Sequence, residues 1–357
     1  MTPAIFINPE NVFPAQNLKG KFCLSPFVQV SINPEGEVGI CGCQRWQPTV
    51  IGNIFSDSLQ NLLSGHVAQR IRQSIIDGTY IYCHPERCGI LRTNSLNEYD
   101  TLPETVKWAV EDSTRYLVPH HITLAMDRTC NLSCPSCRKT VIKNTIQDKE
   151  KQKELSDLVR KNLFGVPTDK EIELTMDTNG DVFASPFLLD FLQGLSSQDF
   201  PNLKIDLLSN GLLAEQRWER MGEMQNHVKK ITISYDAAEA QTYEQLRRGG
   251  KWDELLQAMS WLKQKKKQNG MQFNARMVVQ RANYKQMKDF YVLSKSFDCD
   301  TVQFQRIMNY GTFTKDELMY LDVCDSRSDL YHDLLNSLQQ VIDLPDALFW
   351  HGIPKFS

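Results

Sequence analysis

From about residue 118 onward, short β-branched runs alternate with longer amphipathic stretches, and this alternation confines the chain to folds built on a parallel sheet. Six strands are predicted, over 121–126, 171–176, 203–209, 229–235, 271–279 and 301–305. Between them lie stretches with apolar residues near three-to-four spacing, at 149–163, 214–225, 252–267 and 284–296. Six strand–helix units are too few for a closed eight-fold barrel and suit an open, partial one. In parallel α/β sheets, ligands collect at the C-terminal ends of the strands. The segments that follow these strands are therefore where chemistry is expected.

The first of those segments runs Asp127-Arg-Thr-Cys-Asn-Leu-Ser-Cys-Pro-Ser-Cys-Arg138. Cys130, Cys134 and Cys137 have C-x3-C-x2-C spacing and ride the loop after the first strand. Thiolates are soft ligands that suit iron–sulfur clusters or zinc. Three in a tight loop can hold three irons of a cubane and leave the fourth open to a small molecule. A structural zinc site needs a fourth ligand close by, and none of the thirty residues after Cys137 is Cys or His.

The spacing, the strand context and several later segments resemble the radical S-adenosylmethionine (SAM) superfamily. The resemblance implies a (βα)6 partial, TIM-like barrel. It also implies a [4Fe–4S] cluster on Cys130, Cys134 and Cys137, with SAM across the open strand ends and its amino and carboxylate groups on the unique iron. The segment 176–183 is similar to the family's glycine–acid motif, with Gly180 for close backbone approach and Asp181, in place of the usual glutamate, accepting from the SAM ammonium. Leu208-Ser-Asn-Gly211 resembles the ribose-contacting segment, with Ser209 and Asn210 as its polar groups. Ile233-Ser-Tyr-Asp236, followed by Tyr243-Glu-Gln-Leu-Arg-Arg-Gly-Gly250, looks like the segment in which a serine contacts SAM and an arginine meets its carboxylate. Ser234 and Arg247 match those roles, with Arg248 as a rival. Ser136 stands where the family often has an aromatic residue against the adenine, so the adenine contacts are unassigned. Cys299, Cys324, Tyr235 and Tyr310 near strand ends are either hydrogen donors or ordinary packing.

Residues 20–100 form a different unit. Runs at 28–32 and 37–41, joined by Asn33-Pro-Glu-Gly36, predict a hairpin. A helix over 59–77 follows, with Ser56, Asp57 or Ser58 as N-cap and Gly78 as terminator. Cys23, Gly36 and Cys41 form a C-x12-G-x4-C pattern, and Cys83 and Cys88 flank His84-Pro-Glu-Arg87. A hairpin and a two-cysteine knuckle can bring four thiolates to one metal centre. The arrangement looks like the twitch auxiliary-cluster domain or its larger relative SPASM, although here it precedes the barrel instead of following it. Cys23, Cys41, Cys83 and Cys88 are assigned to an auxiliary [4Fe–4S] cluster, Cys43 being a spare thiol or a replacement for Cys41. Zinc on the same four cysteines, with His84 as a further possible ligand, is the alternative. The predicted organisation is an auxiliary domain (hairpin plus helix) at 1–100, a linker at 101–117, the partial barrel at 118–325 and a C-terminal helical extension at 326–357.

Composition permits this and narrows the partners. The chain has 357 residues, 41% hydrophobic and 23% charged, as in ordinary globular proteins. No run of eighteen apolar residues and no charged-then-apolar leader is present, so a cytoplasmic protein without a membrane span is expected. Ten cysteines in such a protein read as ligands before disulfides. A net charge of −3 gives no general attraction to nucleic acid, and Lys263-Gln-Lys-Lys-Lys267 reads as the end of a helix. The resemblance implies a low-potential electron donor such as flavodoxin or ferredoxin. It further implies hydrogen abstraction by a 5′-deoxyadenosyl radical from a peptide or protein, or from a carbohydrate or amino-sugar small molecule. About twenty residues precede Cys23, fewer than a separate leader-binding domain needs. A non-catalytic iron–sulfur or zinc module is the reading from another class.

Overall fold

The computed structural model describes residues 12–41, 49–85, 88–92, 94–142, 144–176, 179–350 and 352–354. Cys43, Glu86, Arg87, Asp177 and Thr178, all within motifs singled out above, lie outside the described residues. The chain divides into two compact units: Met1–Asp127 with Thr145–Asn179 and Leu195–Lys204, and Arg128–Asn144 with Gly180–Gly194 and Ile205–Ser357.

In the first unit, β1 (Lys21–Phe22), β2 (Gln29–Ile32), β3 (Glu37–Gly39), β4 (Gly52–Asn53), β5 (Asn97–Glu98), β6 (His121–Leu124) and β7 (Ile172–Met176) are formed. The expected hairpin is β2–β3, with Ile32 opposite Val38 and Ser31 opposite Gly39. Its turn is fixed by Asn33, whose Oδ1 accepts from the N–H groups of Glu35 and Glu37, both at 3.0 Å. Gly36 takes φ +79° there, and a side chain at that position would strike the Phe55 ring. β4 pairs antiparallel with β3, and β1 pairs antiparallel with β5.

The structure adds two features that period counting does not supply. β2 lies parallel to β6, with Gln29 opposite His121, and β6 lies parallel to β7. Leu102, Ala109 and Val110, in the stretch read as a linker, are buried with Phe22, Phe27, Val28, Ile75, Tyr80 and Cys83 in one apolar cluster. The helix expected over 59–77 is two helices, Leu59–Ser64 and His66–Ile76. Gly65 between them is extended (ψ 159°), and Ser58 caps the first by accepting from Asn61 N–H.

The second unit carries β8 (Leu203–Ser209), β9 (Val228–Ser234), β10 (Gln272–Val279), β11 (Val302–Arg306) and β12 (Ala347–Trp350). Each pairs in parallel with the next in chain order. All six strands expected from the alternation are present within one or two residues of their predicted ends. The helix Trp252–Asn269 ends at Gly270, and its Lys263 and Lys266 bond the Ser296 and Asp298 carbonyls, which gives the basic cluster a structural use. The C-terminal segment read as helical holds the helix Tyr331–Gln339 and then β12, parallel to β11. Its alternation Ala347-Leu-Phe-Trp350 is too short to separate from a helical turn by period alone. Among the described residues no helix is long and apolar enough to cross a membrane.

Candidate functional site

The loop after β6 carries the three cysteines and is closed on itself. The N–H groups of Cys137 and Arg138 both donate to Cys134 O at 2.9 Å, and Leu132 N–H points at Cys130 Sγ (3.4 Å). Burial and the negative charge of Asp181 push the Cys130 thiol up to about 11, and burial raises Cys134 against the pull of Arg247. A soft metal bound here would replace these thiol protons.

Three strand-end segments converge on this loop within the second unit. Asp181 N–H donates to Thr129 O at 2.8 Å. Asn210, just past β8, donates through Nδ2 to Asn131 Oδ1 (2.8 Å) and lies 3.8 Å from Cys130 Sγ. Arg247, downstream of β9, places Nη1 3.9 Å from Cys134 Sγ. Arg248 turns the other way, bonding Ser133 Oγ (3.1 Å) and Lys139 O (2.7 Å), so it clamps the two ends of the loop. Arg247 faces the sulfurs, and Arg248 fixes the backbone.

Gly180 is where the close approach occurs. An added Cβ would sit 2.2 Å from Thr129 O and 2.8 Å from the Arg128 carbonyl carbon, both backbone atoms that cannot swing aside. If the loop holds the SAM-binding cluster that its resemblance implies, Gly180→Ala should displace Thr129, the residue before Cys130, and lower SAM cleavage about 10²-fold, the scale of a one-ångström misplacement, with far-ultraviolet circular dichroism unchanged. Parent-level release of 5′-deoxyadenosine by the variant would contradict this.

Asp181 and Ser209 are bound to each other in the structure. The buried carboxylate accepts at Oδ1 from the N–H groups of Phe183 (3.0 Å) and Ala184 (3.2 Å), and at Oδ2 from Ser209 Oγ (2.8 Å) and Asn210 N–H (2.7 Å). Burial raises its pKa and these four donors oppose the rise. Ser209 Oγ also accepts from Gly211 N–H at 2.9 Å. The pair ties the loop after β7 to the end of β8. Ser234 ends β9, half-buried and opposite Arg276.

One partner was missed by motif reading. Asp236, with φ +61°, forms a buried 2.8 Å ion pair with Arg247, while its Oδ1 accepts from Val278 N–H at 2.7 Å. An acid directly after a strand and eleven residues before an arginine is too common a pattern to have marked it. Tyr235 and Cys299 are packing residues: the Tyr235 ring lies tilted against Phe290 and its hydroxyl meets Ser294 Oγ at 2.5 Å, and burial pushes the Cys299 thiol up to about 12. Cys324 is likewise buried, and Tyr310 is exposed.

In the first unit, Cys83 has Cys23, Cys41 and Cys88 as electrostatic neighbours. Burial raises the Cys83 thiol well above its ordinary value, and the neighbouring Cys23, Cys41 and Cys88 raise it further. Tyr80, which the sequence did not single out, is fully buried among them, donating to Lys21 O (2.7 Å) and accepting from Cys23 N–H (3.1 Å). Cys83 N–H donates to Tyr80 O and Cys88 N–H to His84 O, both at 2.9 Å, which folds the knuckle. Among the described residues no three His, Cys, Asp or Glu side chains are gathered tightly enough to hold a single ion. All-thiolate donor sets, with cations and amides near the sulfurs of the loop after β6, fit iron–sulfur clusters.

Comparison with known proteins agrees with this donor chemistry. Residues 23–89 match the SPASM iron–sulfur cluster-binding domain family, a span that holds all four first-unit cysteines. A curated GTP 3′,8-cyclase of Alkaliphilus metalliredigens (strain QYMF) is 25% identical over 143 residues, 39% of this chain and 42% of the cyclase. Among solved structures, Streptococcus suis SuiB bound to the precursor peptide SuiA is 14% identical, covering 81% of this chain and 64% of SuiB with a TM-score of 0.44. Native anSMEcpe with bound AdoMet is 16% identical over 60% of this chain and 62% of its own, with a TM-score of 0.37. The chain spans less than two thirds of the length of each.

Proposed function

We propose that the chain is a radical SAM enzyme with a SPASM-like iron–sulfur domain, and that it uses SAM to abstract hydrogen from a C–H bond of a peptide or protein substrate. Its cofactors are SAM and [4Fe–4S] clusters. Cys130, Cys134 and Cys137 would hold the SAM-binding cluster, and Cys23, Cys41, Cys83 and Cys88 the auxiliary one. When bound, SAM and its cluster supply a 5′-deoxyadenosyl radical able to attack an unactivated C–H bond.

The residues of the chain position that chemistry. Gly180 lets the backbone reach the cysteine loop, and Asp181 with Ser209 locks two strand ends into one platform. Asn210 and Arg247 face the sulfurs, and Ser234 stands at the end of β9 where SAM would lie. The observation that carries the reading is this convergence of Gly180–Asp181, Asn210 and Arg247 on the Cys130–Cys137 loop. A mere metal-binding knuckle needs no such platform.

The auxiliary domain supports the peptide reading. A second cluster can take up the electron left on a substrate radical, which suits oxidation or cross-linking of a peptide, whereas epimerisation requires a hydrogen atom returned to that radical. The similarity to the GTP 3′,8-cyclase supports the second reading, a carbohydrate-like or other small molecule. The test is 5′-deoxyadenosine release by anaerobically reconstituted protein with dithionite, followed by mass spectrometry of co-expressed short peptides. A mass shift on a peptide supports the first reading. Release stimulated only by sugar or nucleotide pools would replace it with the second, and no release at all would sink both.

Cys41→Ser is expected to remove the auxiliary cluster, roughly halving the iron from about eight per chain to about four, whereas Cys43→Ser should leave it in place. Iron analysis and Mössbauer spectra of the two variants check this. Loss in the Cys43 variant alone would move the ligand to that position.

A further inference from the structure

Each sulfur of the cysteine loop after β6 has a side-chain donor of its own. Asn210 Nδ2 lies 3.8 Å from Cys130 Sγ, Arg247 Nη1 3.9 Å from Cys134 Sγ, and Arg138 Nη2 3.4 Å from Cys137 Sγ. Two of the three donors are therefore guanidiniums, which carry charge at every working pH. They are held in place independently. Arg138 Nη1 donates to Arg128 O at 2.7 Å. Arg247 is gripped by Asp236 at 2.8 Å, both side chains being nearly buried, and its Nε has no partner among the described residues. Asp236 is itself fixed through Val278 N–H, and Asn283 Nδ2 donates to its carbonyl at 2.8 Å.

We propose that Arg138 and Arg247 set the reduction potential of the cluster held by Cys130, Cys134 and Cys137, and that Asp236 offsets part of the charge of Arg247. The inference rests on the ligand assignment made above. One-electron reduction adds a negative charge to the cluster, the electron coming from a low-potential donor. Positive charge and hydrogen bonds at the sulfurs stabilise that reduced form and raise the potential. Buried charges act at close range with little screening, so two guanidiniums weigh more here than they would at a surface. The arrangement predicts opposite signs for neighbouring substitutions. Arg138→Gln and Arg247→Gln lower the potential. Asp236→Asn, which tolerates the positive φ and keeps an acceptor for Val278 N–H, raises it.

The test is a redox titration of anaerobically reconstituted holoprotein, followed by electron paramagnetic resonance on the signal that changes when SAM is added. Each glutamine variant should need about a tenfold higher reducing ratio, 59 mV for one electron, and Asp236→Asn should shift the other way. Arg138→Lys and Arg247→Lys, which keep the charge, should stay nearer to wild type than the glutamine variants. They carry the test if the glutamine variants fail to load iron. A downward shift in all three neutral variants, Asp236→Asn included, would overturn the proposal, because loss of packing has no sign preference. So would lysine variants that shift as far as glutamine. Unchanged potentials on a signal that Cys130→Ala/Cys134→Ala/Cys137→Ala loses overturn this inference alone. Retention of the signal by that triple variant overturns it together with the ligand assignment.

Discussion

Alanine at Cys130, Cys134 and Cys137 together is expected to abolish reductive cleavage of SAM while leaving the iron of the first unit bound. The loop supplies three soft ligands from eight consecutive residues, and none of the thirty residues after it is a Cys or His that could substitute for them. Cys299 and Cys324, the other thiols of this unit, are buried in its core and serve as packing. Iron should fall by about half, to about four per chain, because a [4Fe–4S] centre is lost outright when all its thiolates go. The remaining absorbance should be that of an all-cysteine cluster. Platform residues keep their bonds, since Asp181, Ser209 and Asn210 N–H hold one another without any cysteine. The folded unit should therefore survive, and circular dichroism should match the parent. Continued 5′-deoxyadenosine formation by the triple variant would overturn the central assignment. A loss of all iron would instead mean that the two cysteine sets serve one centre.

What could be read from the sequence was what depends on local period and on rare residues. Six parallel strands were legible because each joins a β-branched run to a helical one, and the cysteine loop because C-x3-C-x2-C seldom arises by chance. The hairpin turn was legible from Asn33 and Gly36, whose side-chain acceptor and positive φ are local properties. Pairings across long separations were not. Asp181 with Ser209 and Asp236 with Arg247 arise from strand ends brought together by the sheet, and nothing local marks them. The motif reading gave Asp181, Ser209 and Arg247 contacts with SAM; in the structure they also bond protein groups that build the floor of the site. Gly65 broke a helix that periodicity ran through, because apolar spacing continues on both sides of it. Leu102, Ala109 and Val110 looked like linker because the stretch around them is polar, yet their apolar side chains fill the core of the first unit.

Arg72 is the clearest case of a residue whose role the sequence conceals, and its loss should have the largest effect on stability. An arginine on an amphipathic helix reads as a surface charge, but this one is fully buried. Its Nε donates to Pro26 O (3.0 Å), Nη2 to Leu63 O (2.8 Å) and Nη1 to Ser113 O (3.4 Å), and the guanidinium lies 4.9 Å from the Tyr116 ring centre. Burial lowers its pKa to about 10 against the opposing pull of Tyr116, so it remains charged at pH 7. Three chain segments, at 26, 63 and 113, are thus tied by one fork, and among the described residues no acid forms an ion pair with it. Arg72→Met fills similar volume but leaves the carbonyls of Pro26 and Leu63 buried and unpaired, at about 1–3 kcal/mol each. A net loss of about 3 kcal/mol would lower the melting temperature of a unit this size by roughly 6–12 °C. Arg72→Lys should recover little, since an ammonium cannot span three carbonyls in one plane. Residue 26 lies three positions after Cys23, and the helix carrying Arg72 leads to Cys83, so the same variant should lose auxiliary iron before it loses the iron of the second unit. Thermal melts of the holoprotein and amide exchange over residues 59–76 measure the effect. A melting temperature within about 1 °C of the parent, with full iron content, would show that the buried fork is dispensable.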